Sequence, residues 1–194
     1  MEIMLKYVLF SFLVFTTSAY SKIDTLFITP VAKIFDSLPP LQSSATVYIS
    51  TIQDSSSTDQ NSIIGTTRNG IKTTAPVVIK NGIPGVMSES IKAALNRTRQ
   101  LATDPSTANF LLRVTVLECK LIEKSATFSQ TIEIFFKCRV ILTDPLNTEN
   151  RHEFTIKNQN IIKAMDTSKY AESAVSDCFK SAIIELLKNI PVLQ

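Results

Sequence analysis

At 194 residues, 44% of them hydrophobic and 19% charged, the chain is long enough for one domain with a proper core. A net charge of +3, with Lys and Arg spread along the chain and no basic stripe interleaved with aromatics, argues against nucleic acid as a partner. Four glycines leave almost no room for a Gly-rich phosphate loop.

The N-terminus carries the strongest functional signal. After Lys6 comes the apolar run YVLFSFLVF at 7–15, then the small residues of TTSAYSK. A short apolar core followed by small residues fits a secretory signal peptide over 1–21, with cleavage after Ala19 or Ser21. The run is far shorter than the ~20 residues that a permanent membrane helix needs. The bland alternative is a buried strand or helix at the chain start. No Cys follows the run, so lipid anchoring has no attachment point there. Export to the periplasm or outer envelope is therefore expected, with no transmembrane domain after cleavage.

Residues 22–44 contain TLFIT and the Leu38-Pro39-Pro40 break, which continues neither a ladder nor a helix; this reads as an extended lead-in. Residues 45–53, ATVYISTIQ, are β-branched and read as the first central strand, ending at Asp54. The stretch 54–74 is rich in Ser, Thr, Asn and Asp and reads as a long loop too polar to join a core. Long loops tend to be functional, and Ile63 and Ile64 inside this one are candidates for the apolar centre of a docking surface. The plain alternative is a surface loop with no partner. Asn69-Gly70 is a candidate hairpin turn before a strand near Val77 to Lys80, and Asn81-Gly82 offers another turn. A helix is expected over 86–102, with Ser88 as a possible cap and Met87, Ile91, Leu95, Thr98 and Ala102 near one stripe. Asp104-Pro105 should end it.

Residues 110–122, FLLRVTVLECKLI, form the next strand. Its apolar face changes phase by one residue near Glu118, which is what a bulge produces. The clearest pattern in the chain follows at 128–142, FSQTIEIFFKCRVIL. Phe128, Ile132, Ile134, Phe136, Cys138, Val140 and Leu142 share one face, and Ser129, Thr131, Glu133, Lys137 and Arg139 share the other. Only a strand can bury that face; a helix would spread the charges around its circumference. Phe135 and Ile141 interrupt the polar face, so a helix, loop or partner should cover it there. A turn at Asp144-Pro145 leads to a strand over 151–157, with His152, Phe154 and Ile156 on one face. A last helix is expected over 168–189, capped by Asp166, Thr167 or Ser168. Its inward stripe is Ala171, Ala174, Val175, Cys178, Ala182 and Leu186. The sum is a single α+β domain over 45–190, two-layered, with two helices packed on a mainly antiparallel sheet.

A strand ending in Asp54, a polar stretch reaching Ile64-Gly65, a helix, and then the cadence CRVILTDPLNTENRHEFTI resemble YajG-type bacterial envelope lipoproteins over most of 45–188. Asp54-Ser55-Ser56 stands where that family has Asp-x-Arg, and the family's anchoring Cys is absent. The resemblance implies a small outer-envelope accessory protein, with no catalytic residues to carry over.

Residue chemistry agrees. A Ser or Cys nucleophile needs a base, and the only histidine is His152, flanked by Arg151 and Glu153 on a strand. There is no G-x-S-x-G, no Cys-x-x-Cys and no paired His spacing, so no catalytic, cofactor or metal residue is assigned. Asp54 and Asp59 flank a polar loop, where paired acids are normally solvated. Cys119 and Cys138 fall on neighbouring strands and are candidates for a disulfide in an oxidising compartment; otherwise all three cysteines are buried thiols. The expectation is an exported, non-catalytic accessory protein, a binding or assembly module for another envelope protein or complex. The alternatives are a small exported enzyme with a carboxylate-only site, and a structural protein that self-associates through a sheet edge.

Overall fold

The structure, a computed structural model, describes residues 25–28, 44–56, 63–69, 73–125, 130–164 and 170–191. The expected signal peptide, the Pro39-Pro40 break, Gly70, Phe128 and the helix-cap candidates Asp166, Thr167 and Ser168 lie outside them. The elements in chain order are β1 (Leu26–Ile28), β2 (Val47–Asp54), β3 (Ile63–Asn69), β4 (Thr73–Ile79), α1 (Gly82–Arg97), β5 (Phe110–Ser125), β6 (Gln130–Thr143), β7 (Arg151–Ala164) and α2 (Ala171–Lys188). The fold is α+β: one open, mixed, seven-stranded sheet and two helices.

The antiparallel meander β5-β6-β7 is the frame. Val116 pairs with Cys138 and Glu118 with Lys137, so Leu117 is the extra residue of a bulge. That bulge is the phase change legible near Glu118. It keeps Cys119 and Leu121 on the same buried face as Phe110, Leu112, Val114 and Val116. In β6 the alternation is complete, with Ile132, Ile134, Phe136, Cys138, Val140 and Leu142 all buried. The other edge of β5 is shared end to end. β2 runs parallel along Phe110 to Val116, and β3 touches it at Leu121 through Gly65. A Cβ on Gly65 would lie 2.2 Å from the Leu121 carbonyl oxygen, so glycine permits this approach. Thr46 and Asn109 tie the starts of β2 and β5 together: the Thr46 amide donates to Asn109 Oδ1 at 2.8 Å.

The stretch read as a polar loop is partly a strand. β3 pairs antiparallel with β4, and β4 pairs parallel with β1, which draws part of the lead-in into the sheet. Ile64 (3% exposed) and Thr67 (1%) point into the core. The polar composition hid β3 because one of these inward residues, Thr67, is itself polar.

Helix α1 starts earlier and stops sooner than its periodicity predicts. Asn81 caps it in the left-handed conformation, and Gly82, Ile83 and Pro84 form its first turn. Pro84 breaks nothing there, since first-turn amides have no intrahelical acceptor. The helix ends in a Schellman arrangement. Arg99, at φ 59°, donates its amide to Asn96 O, and the Gln100 amide reaches back to Leu95 O at 2.7 Å. Asp104-Pro105 instead opens a 3-10 turn at Pro105–Thr107. Its Asp104 carboxylate accepts from the Ser106 hydroxyl and amide, which hold the carboxyl below its ordinary range.

Both helices cover the same side of the sheet, α1 over β2 and β4, α2 over β6 and β7, and they touch each other. The predicted stripe of α2 is buried in full, and Phe179 joins it with its ring 5.0 Å from that of Phe136. No helix among the described residues is long and apolar enough to cross a membrane.

Candidate functional site

With both helices on one side, the opposite side of the meander is left as an open face. Strand register puts its side chains into rows across β5, β6 and β7. The rows are Arg113–Ile141–Glu153, Thr115–Arg139–Thr155, Glu118–Lys137–Lys157, Lys120–Phe135–Gln159, Ile122–Glu133–Ile161 and Lys124–Thr131–Lys163. Phe135 and Ile141, the two interruptions of the polar strand face, therefore lie on this open side, both half-buried by their neighbours alone. Ile161, a diagonal neighbour of Phe135, stands 52% exposed.

Cations predominate on the face. Of its three glutamates, Glu133 accepts from Lys124 Nζ at 2.7 Å, and Glu153 is held by Arg139 Nε at 3.3 Å and by Arg151. No carboxylate among the described residues pairs with Lys120, Lys137, Lys157 or Lys163. Lys137 and Lys157 stand directly opposite one another on adjacent strands, an arrangement that costs stability unless an anion intervenes. Glu118 is the single acid beside them. A shallow depression of about 400 Å³ opens at this place, lined by Glu118, Phe135, Lys137, Lys157 and Gln159 with Phe136 and Asn158. An apolar centre ringed by cations can hold a partner with apolar side chains and carboxylate or phosphate groups around them.

The structure separates the residues that sequence reasoning grouped. Ile63 is 40% exposed on β3, but Ile64 is a core residue, so the two cannot form one exposed anchor. Neither lies on the β5–β7 face. Of the two readings of the cysteines, the structure has the buried thiols and not the candidate Cys119–Cys138 bridge: all three are free and buried. The bulge explains why. Cys138 faces Val116 and Cys119 faces Phe136, so the two cysteines are diagonal neighbours. Diagonal spacing of ~7–8 Å exceeds the ~4.4–6.8 Å Cα separation of a disulfide. Burial pushes the Cys138 and Cys178 thiols up to about 12, and Cys119 higher still, first by burial and then by the neighbouring Cys178. His152 is exposed at the start of β7, edge-on to Phe110 with ring centres 6.0 Å apart. Among the described residues no cluster of three His, Cys, Asp or Glu side chains could hold a metal ion.

What sequence reasoning missed is the clustering of lysines. Read along the chain they are scattered; the period of two together with the strand register gathers them on one side.

No known protein-family model matches the chain, and no curated protein matches it in sequence. Solved structures do match in shape. A Xanthomonas campestris protein of family DUF330 aligns with a TM-score of 0.50 at 13% identity, over 84% of this chain and 91% of its own. This likeness is one of fold: the α+β arrangement described above is shared with it. A hypothetical protein from Chlamydia trachomatis aligns at TM-score 0.45 and 10% identity, over 75% of this chain and 96% of its own. An uncharacterised lipoprotein B from Nitrosomonas europaea aligns at 0.44 and 11%, over 76% and 83%.

Proposed function

We propose that the chain is an exported, non-catalytic accessory protein of the bacterial envelope, of the YajG-like kind, acting as a binding module. It docks another envelope protein through the open face of β5–β7. The observation that carries this reading is the juxtaposition of half-buried Phe135 with Lys120, Lys137 and Lys157 on a face that neither helix covers, with half-buried Ile141 further along the same face. Export rests on the apolar run at 7–15 and the small residues after it.

Affinity purification from detergent-solubilised envelope tests the reading. The wild-type chain should recover a defined partner, and the Lys137→Glu, Lys157→Glu double variant should lose it while remaining folded. Equal recovery by wild type and variant would move the docking surface elsewhere. The recovered protein should begin near residue 20 or 22; an intact Met1 on cytosolic material would overturn export.

A further inference from the structure

The sheet ends abruptly on one side. β1, at one edge, is three residues long, whereas β7, at the other, runs for 14 residues from Arg151 to Ala164. Its register with β6 is unbroken from end to end, with no bulge, and it contains no proline. Short edges, bulges, prolines, covering elements and charged side chains, Lys above all, are the usual devices that stop a sheet edge from recruiting another strand, and of these β7 carries only the charges. Among the described residues, no strand pairs with the outer edge of β7.

The sequence of β7 is also complementary to itself. An antiparallel pairing centred on Asn158 keeps open-face residues opposite open-face residues, because the offset is even. It sets Glu153 against Lys163 of the second copy, and the reciprocal contact forms at the other end. On the same face Thr155 meets Ile161 and Lys157 meets Gln159. On the helix-covered face Phe154 meets Ile162, and Asn158 lies opposite its own copy. A centre moved to Lys157 would set Lys157 against itself and Arg151 against Lys163, like charges at every ionic pair. Charge therefore selects one register among the even offsets nearest the strand centre.

We infer that the partner of the β7 edge is a second copy of this chain, paired antiparallel about Asn158 to give a two-fold dimer with one continuous sheet. The two open faces then lie on the same side, so the dimer doubles the area of the proposed docking face without covering it. The inference stands apart from that docking reading, because β7 pairs through its edge and the envelope partner binds a face.

Analytical ultracentrifugation of the purified protein, followed by oxidative cross-linking of single-cysteine additions, tests it. The wild-type protein should sediment as a dimer. Lys157→Cys and Gln159→Cys variants should each fail to cross-link alone and should cross-link when mixed, read against the parent with its buried thiols. Glu153→Lys should raise the dimer dissociation constant about tenfold, and adding Lys163→Glu to it should restore the wild-type value. A monomer at every concentration would overturn the inference. So would a dimer in which Lys157→Cys cross-links with itself, or in which the mixture does not cross-link.

Discussion

Phe136 and Phe135 are sequence neighbours with opposite fates. Phe136 is 1% exposed and packs edge-on against Phe179, while Phe135 lies half-buried on the open face. Phe136→Ala should cost about 3–5 kcal/mol, the cost of a large cavity in a packed core. Phe135→Ala should cost clearly less, and urea denaturation of the two variants makes the comparison; equal losses would mean that both faces are buried. The cysteines give a second test at this scale. Three thiols should resist alkylation in the native protein and all three should react after unfolding. Below their ordinary value of 9.0 the thiols are neutral in both states, so their burial imposes no pH dependence there. Above it the unfolded chain ionises while the buried thiols stay protonated. Stability should therefore fall as pH rises from about 9 toward 12, by up to ~1.4 kcal/mol per pH unit for each thiol. A flat profile over that range would contradict the burial of these groups.

At the scale of elements, Gly65 joins the β3–β4 hairpin to the meander. Gly65→Ala would drive a methyl group into the Leu121 carbonyl, so the junction must open. A loss of about 1–3 kcal/mol is expected, with faster amide exchange confined to β3 and β4. Exchange that stays unchanged in that hairpin would show that β3 does not depend on β5. The same elements mark the boundary of what the sequence discloses. β6 was legible because one face is buried and the other is wet, which forces strict alternation. The phase change in β5 was legible for the same reason. β3 was not, because of the inward side chains described, Ile64 and Thr67, one is a Thr, which is as common in loops. The second half of β7 was hidden by Asn158 and Asn160 on the helix-covered face. Asn160 earns its place by donating from Nδ2 to the Ala174 carbonyl at 3.2 Å, a tertiary contact with no sequence signature. The start of α1 was missed because Pro84 and Gly85 punctuate most chains, yet the first helical turn tolerates both.

For the whole molecule, the central claim is that function resides on the side of the sheet the helices leave open. Phe135 and Ile141 came from sequence periodicity, whereas the lysines around Phe135 became its neighbours only through strand register. The most direct measurement is photo-cross-linking in intact cells, with a photoreactive side chain placed at Phe135 and, as a control, at exposed Lys92 on α1. The account predicts a discrete adduct with another envelope protein from position 135 and none from position 92. An adduct from position 92 with none from position 135 would place the docking surface on the helical side and contradict it.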